Sequence, residues 1–364
     1  MKIRVAILDK DEGYLNRIVS VFSTRYADKL ELYSFTDLNV AISNLLQAKI
    51  DVFLANDIFD VDESLLPNRC GFAYFVDSPD LITVRDQRAV CKYQKADLIY
   101  KQILNIYAEH AGNVSGLKLG NDTARVILFT PVSGGAGAST SAAACSMHFA
   151  AQGKSVLYLN LEKMGSADMF FKAEGQFDMS DVIFALKNNI SNTSPRQQKN
   201  NSANLALKLE SSVRQDTHGV YFFAQSKNAL DMIELNSEDT IRLLKELQFS
   251  GKYHDIILDC DFSLDSETLK IWKQAHSIVW VGDGSEYSNY KLRRGYEALR
   301  ALETSLDIPL INRVVLFYNK FGSNTGKKLD DIGIKEIGGS RHYKAEKVSL
   351  IVEQMSVMNE FDRI

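Results

Sequence analysis

The residues best suited to chemistry in this chain lie in one stretch, Thr130-Pro131-Val132-Ser133-Gly134-Gly135-Ala136-Gly137-Ala138-Ser139-Thr140. It follows an apolar run, Arg125 to Phe129, that reads as a buried strand, and it precedes Ser141 to Ala150, a run of helix formers. Strand, glycine-rich turn and helix form the layout of a phosphate-binding loop. Glycines let backbone N–H groups curl round an anion, and the helix N-terminus adds partial positive charge. Ser133, Gly134, Gly135, Ala136, Gly137, Ala138, Ser139 and Thr140 are therefore the candidate nucleotide-binding residues. The hydroxyl of Ser139, or of Thr140, suits Mg²⁺. Asp259 closes the apolar run Ile256-Ile257-Leu258 and is the candidate acid that holds the ion through water. Glu162, after the next strand, is a candidate to orient an attacking water, and Asn319, ending a late strand, could read an adenine edge because its amide both donates and accepts. One part is missing: Ala138 stands where such a loop carries its lysine.

Blander readings accompany each of these. A glycine-rich turn can be only a turn, Asp259 can cap a strand end, and Asn319 can form a turn. Lys163, Lys291, Arg293, Arg294 and Lys320 are candidates to replace the absent cation, and the spacing does not rank them; Lys291, Arg293 and Arg294 also suit a solvated helix face. The histidines, His110, His148, His218, His254, His276 and His342, show no metal-ligand spacing.

These residues need elements to hold them. At 364 residues, with 45% hydrophobic and 24% charged residues, the chain has the make-up of a globular protein of two or three domains. Its net charge of −4 argues against whole-protein attraction to nucleic acid or anionic lipid. Cys70, Cys91, Cys145 and Cys260 lie in or beside apolar runs with no C-x-x-C pair, so reduced buried thiols of a cytosolic protein are expected. Met1 to Asp9 has too short an apolar stretch for a signal peptide, and no apolar run approaches the ~20 residues that span a membrane.

Strands are expected at 3–8, 30–35, 51–56, 71–78 and 89–93, with helices near Tyr14–Phe22, Leu38–Gln47 and Ala96–His110. Alternation of this kind implies a parallel sheet covered on both faces, of flavodoxin-like type. Residues 1–111 resemble a response-regulator receiver domain. The markers are Asp9, Asp11 and Glu12 after the first strand, Ser78 after the fourth and Lys92 after the fifth. The acceptor aspartate of that family is replaced by Asn56, and Tyr93 follows Lys92 where the family has proline. The resemblance thus implies a receiver fold used for docking or dimerisation, with no ordinary phosphorylation.

Residues 112–122, with three glycines and no apolar period, read as a linker. Residues 123–364 read as a larger α/β domain with a mostly parallel sheet. Its strands are expected at 155–162, 219–223, 253–261, 277–283 and 313–320, with helices at 239–247 and 288–304. The Asn-rich stretch 188–201 reads as a surface loop. The segment Lys347 to Phe361 is amphipathic with mixed charges, which favours packing on the domain over lying on a membrane.

Ser133 to Thr140 resembles the deviant Walker A loop of the MinD/ParA ATPases, and with the receiver-like domain in front the chain resembles the TadZ/CpaE pilus-assembly family. Leu207 to Asp216 leading to Gly219-Val220-Tyr221, and Gly282 to Ser288 before Lys291-Leu292, also fit. The resemblance implies an ATP-binding polar localisation and assembly factor of a Tad (Flp) pilus or related secretion system. It implies a cytoplasmic homodimer with ATP and Mg²⁺, at a cell pole, with other pilus or secretion components as partners and membrane contact only indirect. In that family one loop lysine crosses to the partner's nucleotide and a second contacts the phosphates; here they are Ser133 and Ala138. A charge-assisted hydrogen bond contributes roughly 1.5–3 kcal/mol, so losing one weakens binding by about ten- to a hundredfold. The usual Asp-x-Asp is Asn160-Leu161-Glu162. Hydrolysis is therefore expected to be slow or absent. A cycling ATPase switch, and a scaffold that has lost nucleotide, are the alternatives.

Overall fold

The computed structural model describes residues 2–67, 70–110, 124–188, 195–306, 309–322 and 326–364. The linker expected at 112–122 lies outside the described residues, as do 189–194 of the Asn-rich stretch. The chain divides into two compact units: Met1–Lys118 together with Asn188–Ser212, and Leu119–Lys187 together with Val213–Ile364.

The first unit begins β1 (Ile3–Leu8), α1 (Glu12–Arg25), β2 (Leu30–Phe35), α2 (Leu38–Gln47) and β3 (Val52–Asn56). It continues with β4 (Gly71–Val76), β5 (Thr83–Val84), β6 (Gln87–Cys91) and α3 (Ala96–His110). The sheet order is β2-β1-β3-β4-β6-β5, parallel except for β5, which pairs antiparallel with β6. Every residue of β3 and β4 is buried, as central parallel strands require. Asp11 and Asp37 cap α1 and α2 by accepting the amides of Tyr14 and Val40. A 3₁₀ turn (Glu63–Leu65) lies between β3 and β4, and β5 and β6 form a β-hairpin. The hairpin turn, Arg85-Asp86, has φ of 48° and 63°, the left-handed pair of a two-residue turn.

The second unit contains β7 (Arg125–Pro131), α4 (Ala138–Ala151), β8 (Val156–Asn160), α5 (Ala167–Phe170) and α6 (Met179–Asn188). The next helix, α7 (Pro195–Ser212), lies within the first unit. The second unit resumes with β9 (Arg214–Gln215), β10 (Tyr221–Phe222), α8 (Ala229–Glu234), α9 (Ser237–Gln248), β11 (Asp255–Asp259) and α10 (Ser266–Trp272). It ends with β12 (Ser277–Gly282), α11 (Glu286–Leu306), β13 (Val314–Tyr318), β14 (Lys335–Gly339) and α12 (Val348–Ser356). The sheet runs β14-β13-β12-β7-β11-β8-β10-β9, parallel throughout except for β9. The loop-bearing β7 is central, between β11 and β12, so the loop opens at the carboxyl ends of the strands, where α/β sheets bind ligands.

Two expectations change. The Asn-rich stretch is not wholly a loop: helix α7 starts at Pro195, a residue preorganised for a first helical position. Composition hid it because its stability comes from packing. Leu207 is buried in the core with Ile99, Ile103 and Tyr107, and Lys208 binds Glu109 at 2.7 Å and Asn105 at 2.9 Å. Glu210 accepts Lys29 at 2.8 Å. A first domain ending at 111 leaves this helix out.

The C-terminal segment packs as expected. Val352, Met355 and Phe361 are fully buried with the small residues Ala142, Ala143 and Ala144 of α4. All four cysteines are buried and none forms a disulfide. Among the described residues no helix is long and apolar enough to cross a membrane.

Candidate nucleotide-binding site

The loop between β7 and α4 adopts the backbone that its glycines permit. Gly135 and Gly137 have φ of 77° and 85°, in the left-handed region. Gly137 is the N-cap of α4, and no side chain caps that end, so the first amides of the helix have no side-chain acceptor. A Cβ on Gly137 would come within 2.2 Å of Asn319 Nδ2, so close approach as well as backbone angle requires glycine. The structure thus holds the two ingredients of an anion cradle, a positive-φ loop and an uncapped helix start.

Acids gather beside it. Asp259, at the end of β11, is fully buried, and its Oδ2 accepts Tyr158 Oη–H at 2.6 Å and Asn160 Nδ2 at 2.9 Å. Asn160 Nδ2 also donates to Glu162 Oε2 at 2.9 Å, and Ser166 Oγ donates there at 2.8 Å. Ser139 Oγ donates to Glu162 Oε1 at 3.0 Å. The amide at 160 has a physical role: an aspartate would add a third carboxylate beside buried Asp259 and half-buried Glu162, whereas asparagine donates to both. Burial, followed by the charge of Glu162, pushes the Asp259 carboxyl up to about 8.

Asp259 Oδ1 and Asn160 Oδ1 are buried without hydrogen-bond partners. Buried orphaned oxygens call for an explanation, and a hard cation supplies one. Among the described residues no group of three or more His, Cys, Asp or Glu is arranged to hold a metal. A magnesium ion would therefore rest on Ser139 and Asp259 and draw its other ligands from water and phosphate, its usual habit. Glu162 is held at both oxygens by Ser139, Asn160 and Ser166.

Other sequence candidates fall differently. Ser133 is buried and its hydroxyl donates to Ser288 Oγ at 3.2 Å, so it points into its own unit. Ala138 is buried in the core cluster. Asn319 donates through Nδ2 to Ala136 O at 2.8 Å and accepts Ser340 Oγ–H at 2.6 Å, so its amide is engaged by the protein. Among the basic residues, Lys163 binds the carbonyls of Met232 and Leu235, Arg293 pairs with Asp331, Arg294 lies 3.7 Å from Glu297, and Lys291 sits over the Tyr287 ring. Lys320 donates to Gly135 O at 2.8 Å. Sequence reasoning did not find Tyr158, Ser166 or Ser288; single hydroxyls in a strand, at a helix cap and in a first helical turn carry no spacing signal.

The first unit has its own cluster. Asp9 Oδ2 accepts Asn56 Nδ2 at 3.0 Å and Lys92 Nζ at 3.2 Å, and Asp9 Oδ1 accepts the Asp11 amide at 2.9 Å. Lys92 also bridges to Asp77 at 2.9 Å. Burial would lower the lysine's affinity for its proton; Asp77 and Asp9 outweigh this and raise it. Asp11 caps α1, and Ser78 Oγ accepts the Asp80 amide at 3.3 Å. The oxygens of Asp9 that would face a cation already have three donors, one of them from Asn56.

Residues 1–108 match the family model "TadZ-like, receiver domain". The first unit is thus built on a TadZ-like receiver domain, and the second is a mostly parallel α/β unit with a glycine-rich loop after its central strand. Both are consistent with a TadZ/CpaE-like protein. A search of curated proteins returned no match. Similar solved structures include a ParA family ATPase from Chlorobium tepidum, 18% identical, covering 64% of this chain and 98% of that one, TM-score 0.46. A chain of the MinC:MinD cell division protein complex from Aquifex aeolicus is 17% identical, with 64% and 85% covered and TM-score 0.46. A cobyrinic acid a,c-diamide synthase from Mycobacterium smegmatis, bound to an ATP analogue and magnesium, is 14% identical, with 56% and 75% covered and TM-score 0.40.

Proposed function

We propose that this chain is an ATP-binding localisation and assembly factor of a Tad-type pilus or related secretion system. The receiver-like unit recruits partners, and the second unit holds ATP and Mg²⁺ as a ligand that is turned over slowly or not at all. The chain acts as a homodimer in the cytoplasm, concentrated at a cell pole. The observation that carries the reading is the uncapped α4 N-terminus behind two left-handed glycines, with Ser139 in its first turn, together with the orphaned buried oxygen of Asp259. The TadZ-like receiver match supplies the biological setting.

The same geometry argues for low turnover. Bound magnesium would neutralise phosphate charge, with Ser139 and Asp259 holding it. The rest of the usual machinery is reduced: Ala138 offers no cation, Ser133 is bonded inward, and Glu162 is held at both oxygens. Neither Ser133 nor Ala138 places charge on the developing transition state, and Glu162 is occupied by the protein, so turnover is expected to be low.

The test is to purify the full chain, release and identify any bound ligand, and follow phosphate release with and without Mg²⁺. Intact ATP with negligible turnover is expected. Turnover near ~1 s⁻¹, the low end of typical enzyme values, would replace this reading with a cycling ATPase. Absence of binding at millimolar ATP would leave a scaffold without nucleotide.

A further inference from the structure

We propose that Lys320 supplies, from the end of β13, the cation that position 138 of the loop no longer supplies, contacting the terminal phosphates of a nucleoside di- or triphosphate. This rests on the nucleotide-binding reading above and deepens it. Lys320 is exposed, yet its Nζ lies 2.8 Å from Gly135 O, on the rim of the cradle. Its stem runs beside the loop: a Cβ on Gly137 would sit 3.6 Å from Lys320 Cε. An ammonium has three hydrogens, and Gly135 O takes one.

The backbone is bent to bring it there. Lys320 has φ of 57°, a left-handed conformation that a side chain bearing a Cβ adopts only when its surroundings impose it. The preceding residue is held on three sides. Asn319 is fixed through its amide N–H to Gly282 O at 2.7 Å, through Nδ2 to Ala136 O at 2.8 Å, and through Oδ1 to Ser340 at 2.6 Å. Asn319 is thus a positioning residue that ties the strand end to the loop and aims the next side chain. The other basic residues of the unit considered above face carbonyls, acids or a ring away from the loop. Lys320 is the one whose charge already touches it.

The test uses the full chain and calorimetric titration with ATPγS, ADP and AMP in the presence of Mg²⁺. Lys320→Met keeps the apolar stem and removes the charge. It should weaken ATPγS and ADP binding by about ten- to a hundredfold and leave AMP unchanged, because a single charge-assisted contact is lost at the terminal phosphates. Lys320→Arg should bind like the parent chain. Lys320→Gly suits the left-handed backbone, should melt no lower than the parent, and should show the same selective loss. Unchanged ATPγS affinity in Lys320→Met, with the parent chain binding, would overturn the role of Lys320 and leave nucleotide binding standing. An equal loss for AMP would make Lys320 only a brace of the loop and overturn it too. Failure of the parent chain to bind ATPγS would remove the underlying reading as well.

Discussion

Asp259 is a fully buried acid at the end of β11 in the second unit. Its carboxyl titrates at about 8 when folded, against about 3.9 in an unfolded chain. Between those values the folded protein binds more protons than the unfolded one, so this group makes the ligand-free protein less stable as pH rises from about 4 to about 8. Asp259→Asn should remove that slope and raise the melting temperature of the ligand-free protein at pH 8 more than at pH 5. Thermal scans at the two values check it; an equal shift at both would show that Asp259 is already ionised. In the first unit, Asn56 donates a hydrogen to Asp9 where an acidic residue would repel it. Asn56→Asp should destabilise the ligand-free protein by about 1–3 kcal/mol, the range for a buried group left without its partner, and millimolar Mg²⁺ should restore part of it. The parent receiver unit should show no Mg²⁺ response, since Asp9 already has its donors. Denaturant melts with and without Mg²⁺ measure both.

At the scale of elements, α4 connects the site to the C-terminus. It begins at the cradle and is buried along nearly its whole length, because small residues let it lie close to both the sheet and α12. The C-terminal apolar stripe fits this groove. Phe361 is fully buried, 5.5 Å from the Phe317 ring in a stacked pair, and His148 binds both Ser356 O and Asp362 at 2.8 Å. Phe361→Ala should cost about 3–5 kcal/mol, the range for truncating a buried aromatic. Urea unfolding of the full chain measures this; a loss under ~1 kcal/mol, within the scatter of surface substitutions, would mean that the segment detaches in solution.

At the scale of the whole molecule, the first unit is discontinuous in sequence. Helix α7 arrives from between α6 and β9 and completes the core around α3. A protein ending at residue 118 lacks Leu207, which buries ~2 kcal/mol of apolar side chain, and leaves Glu109 with Arg88 as its described basic partner. It should unfold at lower denaturant than the same segment fused through a flexible linker to residues 188–212. Coincident midpoints for the two proteins would show that α7 contributes nothing to the receiver unit.

The amino-acid sequence by itself determined the alternation of strands and helices, because buried parallel strands must be near-continuous apolar runs and the helices between them must be amphipathic. It determined the glycine-rich turn, the acid at 259 and the asparagine at 56, since each depends on a residue type at a fixed place after a strand. It also carried the resemblance that names the receiver as TadZ-like. Tertiary structure alone decided which partners those residues meet. Five basic residues were equal in the sequence, and only the fold brings Lys320 to the loop while binding Lys163 and Arg293 elsewhere. Asn319 faces Ala136 O because β13 and the loop converge, a contact between residues 183 positions apart that no local pattern encodes. Helix α7 was hidden for the same reason: its polar, Asn-rich start gives little intrinsic helicity, and the contacts that hold it lie about a hundred residues away in the chain.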